Sequence, residues 1–120
     1  MGAKLLSGLA ACLLLLGLAG IVFAGDMNHK EPTSVTSTCG TASATVSWAA
    51  VSDDHLSGYD VYKKLHTDVD YVRANTQLVS ATTYSVTGLS SSATYDFAVM
   101  AMYNDGHRSN LSTPASCTTG

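Results

Sequence analysis

In Tyr95-Asp96-Phe97-Ala98-Val99-Met100-Ala101, one set of alternate positions, Tyr95, Phe97, Val99 and Ala101, is apolar throughout, and this period narrows the available folds sharply. Successive side chains point to opposite faces on a strand, whereas a helix repeats its face every 3.6 residues, so a period of two marks a strand with one buried face. The same pattern recurs three times. Ala44, Val46 and Trp48 alternate in one run, Tyr59 and Val61 in Gly58-Tyr59-Asp60-Val61-Tyr62, and Tyr84 and Val86 in a third. Shorter β-rich stretches at Ser34 to Thr38, Tyr71 to Asn75 and Asn110 to Thr118 bring the predicted strands to seven. Gly, Asp, Asn and Ser clusters separate the runs at roughly ten-residue spacing, the mark of an antiparallel sandwich. Pro114 lacks the N–H that a ladder needs, so the last strand is expected at an edge or a bulge, with Asn104-Asp105-Gly106 as the turn before it.

Residues 1 to 24 are a different kind of sequence. Lys4 is followed by an uncharged, mostly apolar run from Leu5 to Phe23-Ala24, the layout of a secretory signal peptide cleaved after Ala24. Two alternatives stay open. About 20 apolar residues rising 1.5 Å each can cross a ~30 Å hydrocarbon layer, so retaining residues 5 to 24 would make an anchor. Leu9-Ala10-Ala11-Cys12 also resembles a lipobox, although cleavage there would leave Leu13 to Phe23 on the mature protein. Cleavage after Ala24 leaves 96 of the 120 residues, with five basic against nine acidic side chains and no basic patch for nucleic acid. Residues 25 to 32 read as a flexible polar leader and 33 to 120 as the domain. Cys39 and Cys117 remain in the mature chain, an even count that favours one disulfide in an oxidising compartment over two unpaired thiols.

Trp48 on the second strand, Tyr59 in the third, and Val86-Thr87-Gly88-Leu89 followed six residues later by Tyr95 stand in an order that resembles the fibronectin type III family, from about Pro32 to Thr118. The resemblance implies an immunoglobulin-like, seven-stranded Greek-key β-sandwich. It implies that Leu89 and Tyr95 form a tyrosine corner, a buried ring whose hydroxyl bonds back to the chain and pins the crossover between strands. The stretch Ser52 to Tyr62 is similar to bacterial members appended to secreted polysaccharide-degrading enzymes. Most members lack a disulfide. In this topology the first strand ends, and the seventh finishes, at the same pole, so Cys39 and Cys117 can meet.

Catalysis needs a nucleophile or base beside an orienting partner, and no such set stands out, so the expected function is non-enzymatic and without cofactor. Asp53, Asp54 and His55 are the tightest ionisable cluster, but with no second His or Cys at a ligand spacing they read as a solvated turn rather than a metal site. His29, His66 and His107 fall in the leader or loops and read as surface residues. The loop Asn104 to Ser109 lacks the Arg-Gly-Asp of adhesive family members, and Asn110-Leu111-Ser112 matches a glycosylation acceptor. The outward positions Ala98, Met100 and Met102, with Tyr62 on the neighbouring strand, make an apolar strip. Exposed, it would be a partner surface; alternatively the leader or the hairpin Asp68 to Asn75 covers it. The expected function is an exported module at the cell exterior or periplasm that binds a protein or glycan, with no nucleic acid and no membrane unless residues 5 to 24 or an acylated Cys12 anchor it. The alternative is a structural subunit or spacer that self-associates through its edge strands.

Overall fold

The computed structural model describes residues 29–120, so the readings placed on residues 1 to 28, including Cys12 and cleavage after Ala24, lie outside the described residues. Seven strands form two antiparallel sheets. β1 (Thr33–Cys39), β2 (Ala44–Ala49) and β5 (Thr83–Val86) make one sheet in the order β1-β2-β5. β3 (Leu56–Leu65), β4 (Val72–Arg73), β6 (Thr94–Tyr103) and β7 (Ala115–Thr118) make the other in the order β4-β3-β6-β7. This is the sandwich expected from the alternation, and its inward faces are the expected ones. Val46, Trp48, Tyr59, Val61, Val86, Phe97, Val99 and Ala101 fill one buried cluster between the sheets, with Tyr84 packed against it. Trp48 meets Tyr59 edge-on at 5.2 Å, and the Tyr59 hydroxyl accepts the Val51 N–H at 2.9 Å.

The tyrosine corner is present. Leu89 is buried, and the Tyr95 hydroxyl accepts the Ser90 N–H at 2.9 Å, fixing the passage from β5 in one sheet to β6 in the other. Gly88 precedes it at φ +71°, a left-handed conformation in which a Cβ would be strained. Gly58 answers a different need. A Cβ there would stand 2.8 Å from the Val79 carbonyl oxygen, so glycine lets the segment before β5 pair with Tyr59.

Three elements differ in extent from the sequence reading. β4 is two residues long because Asn75 does the work of a partner strand: its Oδ1 accepts the Val61 N–H at 2.8 Å while its Nδ2 donates to Asp60 and to the Gln77 carbonyl. β7 begins only at Ala115, although the preceding chain already runs along β6. There the hydroxyls of Ser109 and Ser112 accept the N–H groups of Ala101 and Val99, each at 2.9 Å, replacing main-chain carbonyls. Pro114 lies just before this edge strand, as its missing donor requires. Lastly, the leader is not free along its whole length: Pro32 is buried, and the Lys30 carbonyl accepts the Tyr103 hydroxyl at 2.6 Å.

Candidate functional site

The two ends of the sandwich differ in chemistry. At one, Cys39 at the end of β1 and Cys117 in β7 form a disulfide with a Cα–Cα distance of 5.7 Å. It joins an edge strand of each sheet, as the topology led one to expect. Main-chain bonds from Gly120 N to Gly40 O and from Ser92 N to Gly120 O close the same pole.

The opposite pole gathers the start of the domain, the β2–β3 loop and the β6–β7 loop. In the β2–β3 loop the Asp53 carboxylate accepts the His55 N–H at 2.9 Å, a local turn that holds this carboxyl below its ordinary value. The His55 carbonyl accepts the Asn104 N–H at 2.8 Å and so ties this loop to the end of β6. In the β6–β7 loop Tyr103 and His107 pair main chain to main chain at 2.9 Å around Gly106, whose φ of +88° makes the tight reversal. Asp105 Oδ1 accepts the His107 N–H at 2.9 Å, and the His107 Nδ1 lies 3.1 Å from Oδ2. The His107 main chain and ring together hold the Asp105 carboxyl at about 2. His29 reaches the same carboxylate from the leader, its Nε2 3.2 Å from Oδ2, while its ring packs on Tyr103 at 4.3 Å. Burial and the nearby Asp53 raise the Tyr103 phenol above its usual range.

His29, His55 and His107, three of the chain's four histidines, therefore meet at one pole together with Asp53 and Asp105. Asp53 to His55 is the turn expected, but His29 and His107, read as separate surface residues, stand side by side with ring centroids 5.2 Å apart. No local spacing announces this, because His29 meets Asp105, beside His107, across 76 positions. The remaining histidine, His66, lies at the disulfide end of β3 on Asp96, which also accepts from Lys64 and Ser116. Burial would raise the Asp96 carboxyl, but these three hydrogen bonds outweigh it and hold it at about 2.

The expected exposed strip is corrected. Met100 and Ala98 are 0% and 1% exposed and Tyr62 8%, so these three offer no free apolar surface, and Met102 is half-buried. The alternation correctly put them on the outer face, where Asp60 pairs with Met100 and Tyr62 with Ala98, but it cannot tell which outer face is covered. On the β4 side Arg73 and Asn75 both donate to Asp60 on that face, at 3.0 and 2.9 Å. Burial accordingly raises the Tyr62 hydroxyl above its ordinary value.

Among the described residues no helix is long and apolar enough to cross a membrane. The fibronectin type III domain profile matches residues 30–118. Among solved structures, titin module A71 from human cardiac muscle is 23% identical with a TM-score of 0.66, over 72% of this chain and 86% of that one. An Fn3-like protein from Clostridium thermocellum is 20% identical with a TM-score of 0.65, over 76% and 93%. These likenesses are of fold. No curated protein matches the sequence. The profile match covers most of the chain, and with the tyrosine corner and strand order it establishes that the chain belongs to the fibronectin type III family.

Proposed function

We propose that this chain is an exported, non-catalytic interaction module that engages a protein or glycan partner through the pole bearing His29, Asp53, His55, Asp105 and His107. Fibronectin type III domains are typically binding or spacer modules, and their loops are held on a rigid scaffold, the usual seat of recognition. The observation that carries the reading is the concentration of imidazoles and carboxylates on two loops and the leader at the pole away from the clasp. Export is supported by the Cys39–Cys117 bond, which persists in oxidising compartments, and by the signal-like residues 1 to 24.

The self-associating alternative is disfavoured by the edges. β4 and β5 are two and four residues long, β7 is four residues long behind Pro114, and β1 carries a register shift between Thr33 and Thr36 with Ser34 at φ +55°. Short and bulged edges are poor templates for pairing. The test is capture of partners from the native exterior or periplasmic fraction with charge variants at either pole. Asp54→Lys with His55→Glu, both on exposed side chains, should abolish a capture that Thr41→Lys with Ser91→Lys at the disulfide pole leaves intact. Equal capture by both variants would refute the assignment of the pole.

A further inference from the structure

We propose that His29, Asp105 and His107 form a binding site for a divalent transition metal, Zn2+ by the chemistry of its donors. Their ligand atoms lie within 4.8 Å of one another. A tetrahedral zinc ion holds N and O ligands at about 2.0–2.1 Å, which sets neighbouring ligands roughly 3.3 Å apart. The two shortest contacts already have that length: His29 Nε2 and His107 Nδ1 stand 3.2 and 3.1 Å from Asp105 Oδ2. An ion can thus enter by displacing the protons between nitrogen and oxygen, with the two imidazole nitrogens, which lie within 4.8 Å of each other, closing to the same spacing around it.

The donors are also preset by contacts that do not depend on an ion. The His29 side chain is 13% exposed and rests on the Tyr103 ring, and Tyr103 is anchored in turn to the Lys30 carbonyl. Asp105 Oδ1 is engaged by the His107 N–H, which fixes the direction of the carboxylate and leaves Oδ2 toward both rings. Side chains held in place before binding raise affinity by lowering its ordering cost. Two imidazoles and one carboxylate suit Zn2+, Cu2+, Ni2+ or Co2+, whereas Ca2+ and Mg2+ select all-oxygen sets. Three protein ligands leave a fourth position of a tetrahedral ion for water or for a donor brought by a partner. A bound ion would also join the leader to the β6–β7 hairpin across 76 positions, a second clasp at the pole opposite the disulfide.

This deepens the reading of the same pole, and a titration with metal and no partner present succeeds or fails independently of partner binding. The tag-free protein, stripped of metal, is titrated with ZnCl2 by calorimetry and with CoCl2 by visible absorption. One saturable Zn2+ per chain is expected, with the intense d–d bands of low-coordinate cobalt, and excess Ca2+ or Mg2+ should not compete. His29→Ala and Asp105→Asn should each weaken Zn2+ at least about tenfold, since even residues that merely orient a ligand cost 10–100-fold. His66→Ala should leave it unchanged. For any variant whose circular dichroism shows loss of fold, Co2+-induced NMR shifts of the wild type decide instead, and they should centre on residues 104 to 107. Absence of saturable binding, an unchanged affinity in folded His29→Ala, or cobalt shifts centred on His66 would overturn the proposal.

Discussion

Breaking the disulfide should cost a large part of the domain's stability, and the structure sets the size of the effect. The bond closes a loop with a sequence separation of 78. In the chain-entropy relation, −2.1 − 1.5R ln n, a loop of that length costs the unfolded chain about 4.5 kcal/mol of free energy at 25 °C when it is closed. The folded side changes little, because the main-chain bonds between Gly40 and Gly120 still hold the pole and the cysteine positions pack only partly against the core. Cys39→Ala with Cys117→Ala should therefore lose about 4 kcal/mol against a total of about 5–15 kcal/mol for ordinary domains. At roughly 4–8 °C per kcal/mol for a domain this size, the melting temperature should fall by about 16–32 °C. Trp48, the chain's one tryptophan and buried at the sheet interface, reports unfolding by fluorescence in urea. Each single alanine variant should lose about as much as the double, and the denaturant slope should rise because the open chain exposes more surface. A double variant within about 1 kcal/mol of wild type would show that the bond does not act through the loop it closes.

Other substitutions probe the fold and its pH dependence. Tyr95→Phe leaves the Ser90 N–H without its acceptor and should destabilise by about 1–3 kcal/mol in the same urea assay. Asn75→Ala removes the acceptor of the Val61 N–H and a donor to Asp60, both buried, and should cost more than the tyrosine-corner change. The Asp96 carboxyl sits at about 2 when folded and about 3.9 when unfolded, so its stabilisation is complete above about pH 5 and is lost progressively as pH falls toward 2. Asp96→Asn should flatten the stability profile in that window; an unchanged slope would remove Asp96 as the cause. If the proposed export is right, intact mass of the protein from its native source should show cleavage after Ala24, and it should show the loss of two hydrogens at Cys39 and Cys117.

Where the sequence was readable, a local period carried the information. Alternation assigned the inward residues of β2, β3 and β6, and the six-residue interval from Leu89 to Tyr95 marked the corner, because each signal lies within one element or one turn. Side chains that imitate main chain were not readable. Asn75 shortens β4, and Ser109 and Ser112 delay β7, by accepting N–H groups that a carbonyl would otherwise take. The outer strip failed for a related reason: period two says that Met100 points away from the core, but not whether that face is buried. The histidine pole is the extreme case. His29 sits in what looks like a loose leader, and its approach to Asp105 exists only once the leader has docked on Tyr103.

The claim that recognition belongs to that pole is tested most directly by the hydrogen-exchange footprint of a captured partner on this chain. Slowed exchange should fall on residues 52 to 56 and 104 to 108 and spare the disulfide pole. Protection running along β1 or β7 would instead identify edge-strand assembly and contradict the account.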